Sequence, residues 1–158
     1  MTLDQTILDA HRQLFDYSCI PMAVELVLKL NGHWPPARFD LQNAWGNAIG
    51  SFGDFHGREI DGLRFSQGFT QPRDPQFKQW PFDIFYQTIE RELSEDRYVI
   101  VSLESLGGWH MWVIHAQAPG NEFLAVSKEG PPSRATIHID DVMRQTLGMG
   151  GTDILTYN

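Results

Sequence analysis

Residues 19–32, CIPMAVELVLKLNG, form an almost wholly apolar run with a helical pattern. Within it only Glu25 and Lys29 are charged, and they stand four positions apart with the acid first, the favourable order on a helix. Gly32 provides a stop at the C-terminal end. A helix that is apolar on nearly every side belongs in the middle of a domain. We therefore predict a central helix over residues 19–31.

The remaining sequence predicts one α+β domain over residues 1–158. Residues 1–18 are mixed in character, with room for one short helical turn. Residues 33–80 combine dense glycine, proline and aromatic residues, a mixture typical of an ordered, loop-rich lobe. Residues 97–157 form the predicted sheet region. The predicted elements are helices at 40–45, 81–93 and 140–147 and strands at 97–103, 109–115, 123–127, 135–139 and 153–157.

Composition narrows the class of protein. The chain has 158 residues, 42% apolar and 12% aromatic, which is typical of one globular domain. Its net charge of −8 argues against nucleic acid and anionic membrane surfaces as partners. No apolar run approaches the roughly 18–20 residues that span a bilayer. Residues 1–5 lack the basic and apolar character of a signal peptide. We expect a cytoplasmic protein as synthesised, with signal-independent export still open.

Cys19 is the single cysteine of the chain. A lone cysteine forms no internal disulfide and no Cys-based zinc site, which leaves a buried apolar side chain or a reactive thiol. Cys19 stands where the central helix begins, after Ser18 as the predicted N-cap, and the positive end of the helix dipole favours a thiolate there. Cysteines so placed and paired with a histidine have a pKa lowered from about 8.5 to roughly 3.5–7.5. The position favours a nucleophile.

Two further side chains suit thiol chemistry. Gln13 lies six residues before Cys19, where its amide and the Cys19 backbone N–H would form an oxyanion hole; the alternative is an exposed loop glutamine. His110 opens an apolar strand, on one face with Trp112 and Ile114, and is the predicted base; the alternative is an ordinary sheet histidine. None of the six histidines has metal-ligand spacing, so we expect neither a metal nor another cofactor.

Residues 13–23, QLFDYSCIPMA, resemble the nucleophile segment of the bacterial papain-like peptidases that cleave bacteriocin leader peptides after a double glycine, and of their stand-alone relatives. Residues 108–114, GWHMWVI, resemble the strand that carries the family's catalytic histidine. The resemblance implies a papain-like fold, with an N-terminal central helix packed on a C-terminal antiparallel sheet. It also implies that Cys19 is the nucleophile, His110 the general base and acid, and Gln13 the oxyanion donor.

Two positions depart from the family pattern. Ile20 stands where the family has a glycine after the cysteine. The family also has an aspartate at the end of the strand after the histidine, and this region reads AVSKE here, residues 125–129. The side chain that orients His110 is therefore predicted to be Ser127, or Glu129 if the strand is longer.

Two functions from different classes follow. The leading hypothesis is a cysteine peptidase or amidase that hydrolyses a peptide, isopeptide or other amide through a Cys19 acyl-enzyme. A peptidoglycan amidase is a neighbouring alternative, which Ser18 to Pro21 fit less well. The other hypothesis is a non-catalytic acidic binding module, of the immunity type or a degenerate peptidase fold, that masks a basic partner. The charge and the missing aspartate favour this second function.

Overall fold

Helices cover both faces of an antiparallel sheet in a computed structural model of the chain, which describes residues 2–69, 82–105, 108–120, 122–128, 137–147 and 152–158. The described helices are α1 (Gln5–Ala10), α2 (Cys19–Leu30), α3 (Asp40–Trp45), α4 (Phe82–Ser94) and α5 (Asp140–Leu147), with a turn of 3₁₀ helix at Phe52–Asp54. The described strands are β1 (Glu59–Ile60), β2 (Leu63–Gly68), β3 (Val99–Ser105), β4 (Gly108–Ala118), β5 (Glu122–Val126), β6 (Ile137–His138) and β7 (Ile154–Tyr157). The predicted α+β class is confirmed.

The strands lie side by side in the order β1-β2-β7-β3-β4-β5-β6, and each described pair is antiparallel. The hairpin of β3 and β4 forms the centre, with a register that runs from Val99 opposite Ile114 to Ser105 opposite Gly108. β7, the last strand of the chain, separates this hairpin from β2. The sheet therefore joins the middle of the sequence to its C-terminal part.

The predicted loop-rich lobe, residues 33–80, contributes to this sheet. The sequence predicts only the helix at 40–45 in this lobe, and α3 confirms that helix. β1 and β2 were not predicted, because Gly62, Gly68 and the charged side chain of Arg64 interrupt the apolar pattern of a strand. Residues 70–80 lie outside the described part of the chain.

Each face of the sheet packs on its own helical layer. Apolar side chains of α2 pack with Ile100, Met111 and Val113 on one face. On the other face, α4 and α5 cover Leu103 and Ile114. Successive side chains of a strand point to opposite faces. A step of one residue along β3 or β4 therefore moves a side chain from one layer to the other.

The long elements confirm their predicted positions. α2 is the predicted central helix, and its residues from Ile20 to Lys29 are buried. α4, α5, β3, β4, β5 and β7 start and end within about three residues of the predicted bounds, which is the usual uncertainty of element ends. Of the strand predicted at 135–139, the structure describes β6 and the residue after it. Among the described residues, none of the helices combines the length and the apolar character that a membrane span requires.

Candidate functional site: a cleft at Cys19

An open cleft of about 270 Å³ lies where α2 begins. Cys19 and Ile20 line it from the helix, and the loop of residues 50–52 forms one wall. The opposite wall comes from the sheet and from the residue before β7, with the side chains of Ser102, Trp109, Met111 and Asp153. Cys19 is partly exposed and is the first residue of α2, so its sulfur atom lies at the positive end of the helix dipole. These features agree with a reactive thiol better than with a buried apolar side chain.

The residue before the helix does not cap it. Ser18 precedes α2 as predicted, but its side chain makes no hydrogen bond to the first turn. Its hydroxyl donates to Gln42 Oε1 at 2.8 Å and accepts from the Phe15 backbone N–H at 3.1 Å. The Ser18 hydroxyl therefore fixes the loop that leads to Cys19 and leaves the helix end open.

Gln42 of α3 holds that loop from the other side. It is fully buried, and its Oε1 also accepts from the Leu14 backbone N–H at 2.7 Å. Its Nε2 donates to the Arg12 carbonyl at 2.9 Å. Glu25 of α2 accepts from the backbone N–H of Leu41 at 3.1 Å, which ties α3 to α2. The position of Cys19 thus depends on a buried polar network that spans two helices and a loop.

The charged pair of α2 belongs to the same buried layer. The sequence analysis treated Glu25 and Lys29 as an interacting pair four residues apart, but each makes its hydrogen bonds elsewhere. Lys29 Nζ donates to the Pro36 carbonyl at 2.7 Å and to His11 Nδ1 at 2.9 Å, and lies 3.7 Å from the centre of the Phe39 ring. His11 Nε2 donates to a backbone carbonyl of α2 at 2.8 Å.

Burial controls the ionisation of these groups. It raises the pKa of Glu25 from 4.5 to about 6 and lowers the pKa of Lys29 from 10.5 to about 8. Burial, followed by the charge on Lys29, lowers the pKa of His11 from 6.5 to about 3. At neutral pH the network therefore contains a neutral imidazole that accepts a hydrogen bond from a lysine ammonium.

His110 lies on the other side of the sheet from this cleft. It stands opposite Leu103 in the β3–β4 register, and Leu103 packs in the core beneath α4 and α5. Its neighbours Trp109 and Met111 face the cleft instead. The structure therefore does not bring Cys19 and His110 together, contrary to the sequence-based prediction. β4 is apolar on both faces, so its pattern gave no indication of which face α2 covers.

Gln13 and Ser127 also depart from their predicted roles. Gln13 Nε2 donates to the carbonyls of Phe15 at 2.7 Å and Asp16 at 3.1 Å, so both amide hydrogens are used within its own loop. Ser127 is buried after β5, and its hydroxyl has no hydrogen-bond partner among the described residues, so it does not orient the His110 ring. Neither residue lines the cleft. Glu129, the alternative to Ser127, lies outside the described residues.

The polar residues that line the cleft were not among those predicted from the sequence. Ser102 lies opposite Met111 in the β3–β4 register and is only 8% exposed. Asp153 stands before β7, where its Oδ2 accepts from Gln67 Nε2 at 2.9 Å. The available signal was Ser102 between the apolar residues Val101 and Leu103 of β3, because a hydroxyl is uncommon at a buried strand position.

The fold and the cleft together define an α+β domain with a partly exposed thiol at a helix start. Among the described residues, no three His, Cys, Asp or Glu side chains are grouped so that they could hold a metal ion. No protein-family model matches the chain, and no curated protein or solved structure is significantly similar to it.

Proposed function

We propose that this chain is a non-catalytic binding protein of papain-like architecture, which receives a segment of a basic partner protein in the Cys19 cleft. The observation that carries the proposal is the placement of Cys19 and His110 on opposite sides of the sheet. Acyl transfer by a thiol requires a base near hydrogen-bond reach of the sulfur atom. The remaining predicted members, Gln13 and Ser127, do not line the cleft either.

Electrostatics support a basic partner. The chain carries a net charge of −8. Among the described residues that line the cleft are the carboxylate of Asp153 and no lysine or arginine. Asp54 lies directly beside this lining, since its Oδ2 accepts from the Ser51 backbone N–H at 2.7 Å. Carboxylates at a cleft attract a positively charged segment and speed its association.

Two exposed apolar residues stand close in sequence to residues that line the cleft. Tyr17 is 58% exposed and Ile49 is 88% exposed, and each stands within two residues of a side chain or backbone that lines the cleft. Trp45 Nε1 joins their segments by donating to the Tyr17 carbonyl at 3.2 Å and to the Ala48 carbonyl at 2.7 Å. Exposed apolar residues clustered at a cleft are typical of a surface that binds another protein.

The papain-like part of the proposal rests on the arrangement of elements. A central helix begins at the cysteine and packs on an antiparallel sheet built largely from the C-terminal half of the chain. A degenerate peptidase fold keeps this arrangement while it loses the chemistry, because fold and activity are separable.

A thiol hydrolase is the second candidate, and one specific observation favours it. Cys19 is partly exposed at the start of a twelve-residue helix, in an open cleft that also holds a carboxylate, Asp153. In this function Cys19 remains the nucleophile of an acyl-enzyme, and the proton acceptor is a group other than His110. The substrate is the peptide or amide that the sequence analysis predicted.

The test measures binding and hydrolysis with one probe. The probe is a peptide of alternating Lys and Ala residues, acetylated and amidated at its ends; its Glu and Ala counterpart is the charge control. We expect saturable binding of the basic peptide that weakens as salt is added, and no cleavage. Asp153→Lys should weaken binding about tenfold, whereas Asp83→Lys, which changes the net charge equally on the α4 side, should change it little.

Two results overturn the proposal. Equal affinity for the acidic and basic peptides would show that the cleft does not select a basic partner. Time-dependent cleavage that is lost in Cys19→Ser would establish the hydrolase, and its loss in His110→Ala as well would restore the mechanism predicted from the sequence.

A further inference from the structure

The end of α2 that faces the cleft keeps an unused hydrogen-bond donor. The first hydrogen bond within the helix runs from the Met22 N–H to the Ser18 carbonyl at 2.9 Å. Pro21 has no N–H, and the Ser18 side chain bonds to Gln42 instead of the helix. The backbone N–H of Ile20 therefore has no acceptor among the described residues. Such a helix end attracts a negatively charged group.

Ser102 presents a second unused polar group to the same cleft. Ser102 is only 8% exposed, and it lines the cleft from β3. Its carbonyl accepts from the Thr152 hydroxyl, but its own hydroxyl takes part in none of the hydrogen bonds of the described residues. The Ser102 hydroxyl is open to the cleft and can donate a hydrogen bond to a ligand there. An oxygen-bearing ligand in the cleft would supply the partner.

Asp153 gives the cleft an acceptor beside these donors. One carboxylate oxygen, Oδ2, accepts from Gln67, and the described residues that line the cleft include no positively charged side chain to neutralise it. A ligand that fits therefore carries an anion for the helix end and a cation for Asp153. The volume of about 270 Å³ limits it to one or two amino-acid residues.

The geometry points to the C-terminal carboxylate of a peptide whose last residue is basic. The carboxylate accepts hydrogen bonds from the Ile20 N–H and the Ser102 hydroxyl, and the basic side chain pairs with Asp153. This inference rests on the proposed function, because it specifies which part of the basic partner enters the cleft.

The test compares three probes by titration into the isotope-labelled protein, followed at the Ile20 amide resonance. The probes are acetyl-Gly-Ala-Lys with a free carboxylate, the same peptide as its C-terminal amide, and acetyl-Gly-Ala-norleucine with a free carboxylate. We expect the first to bind about tenfold more tightly than either of the others, since each loses one charge-assisted contact.

Variants assign each contact. Ser102→Ala should remove most of the preference for the free carboxylate, and Asp153→Asn should remove the preference for lysine over norleucine. Ser66→Ala, an exposed serine of β2, is the matched control and should change neither. These results would support the inference.

Equal affinity for the acid and the amide would overturn the carboxylate site. If the capped Lys and Ala peptide still bound in that case, the proposed function would stand. If that peptide and all three probes failed to bind, both the inference and the proposed function would be overturned.

Discussion

Met111 and His110 are neighbours on β4, yet their side chains belong to opposite layers of the molecule. Met111 packs beneath α2 and lines the Cys19 cleft, whereas His110 stands opposite Leu103 on the side of α4 and α5. The sheet itself lies between the imidazole and the thiol. The chemistry of Cys19 is therefore expected to depend on the helix end and on the groups in the cleft.

Replacing His110 should not affect the reactivity of Cys19. We expect His110→Ala to leave the pH profile of Cys19 alkylation by iodoacetamide unchanged, because the imidazole lies across the sheet. Asp153→Asn should move the profile to lower pH, since a carboxylate in the same cleft opposes formation of the thiolate. Mass spectrometry of the native protein measures both. A shift to higher pH in His110→Ala would contradict the placement of that side chain.

Gln42 should contribute more to stability than its neighbours on α3. Gln42→Ala removes the partner of the Leu14 N–H and of the Arg12 carbonyl, whereas the Ser18 hydroxyl retains the Phe15 carbonyl as an acceptor at 3.1 Å. An unpaired buried group costs about 1–3 kcal/mol, and these two groups are partly buried, so we expect a loss of about 1–3 kcal/mol in the free energy of unfolding. Urea denaturation measures it, with the exposed Asn43→Ala as control. Equal losses in the two variants would argue against the network.

The elements of the fold could be predicted because their signals are local. The apolar run of α2, the periodicity of α4 and the apolar runs of β3 and β4 each lie within one segment. β2 was not predicted because its pattern is short and ends in Gly68, and because its pairing with β7 joins distant parts of the chain. Pairing between distant strands produces no recognisable sequence pattern within either strand.

The candidate site could be predicted only in part. Cys19 at the start of a helix is a local feature, and the structure agrees with it. To predict whether Cys19 and His110 lie together, one must know which face of β4 packs on α2. That choice depends on tertiary packing, since both faces are apolar. Ser102 and Asp153 come from distant segments and share no sequence motif with Cys19.

Gly50 should tolerate no side chain. A Cβ atom there would lie 2.4 Å from two carbon atoms of the Trp45 ring and 2.7 Å from Asp54 Oδ2. We expect Gly50→Ala to lower stability by about 1–3 kcal/mol, because Trp45 stacks on Phe55 and has little room to move. Thermal unfolding measures the change. Gly53→Ala, whose added Cβ would meet its nearest atoms at 3.3 Å, is the control and should cost less.

His11 should make the protein less stable in acid. Its folded-state pKa is lowered from 6.5 to about 3, so the unfolded chain binds a proton in this range that the folded chain does not. The contribution of His11 to the free energy of unfolding is complete above pH 6.5. It is lost as the pH falls toward 3, by about 1.4 kcal/mol per pH unit. Glu25 acts in the opposite sense, because its raised pKa of about 6 adds stability as the pH falls from 6 to 4.5.

Comparison of variants separates these two effects. We expect His11→Asn to be less stable than the wild type at neutral pH, because Lys29 loses the acceptor at 2.9 Å. The difference between the two proteins should shrink steadily as the pH falls from 6.5, since only the wild type carries the His11 penalty, while Glu25 contributes to both. Urea denaturation across this range measures the difference, and the exposed His33→Asn is the control and should change the slope far less. A difference that stays constant with pH would show that the His11 ring takes up its proton equally in the folded and unfolded states.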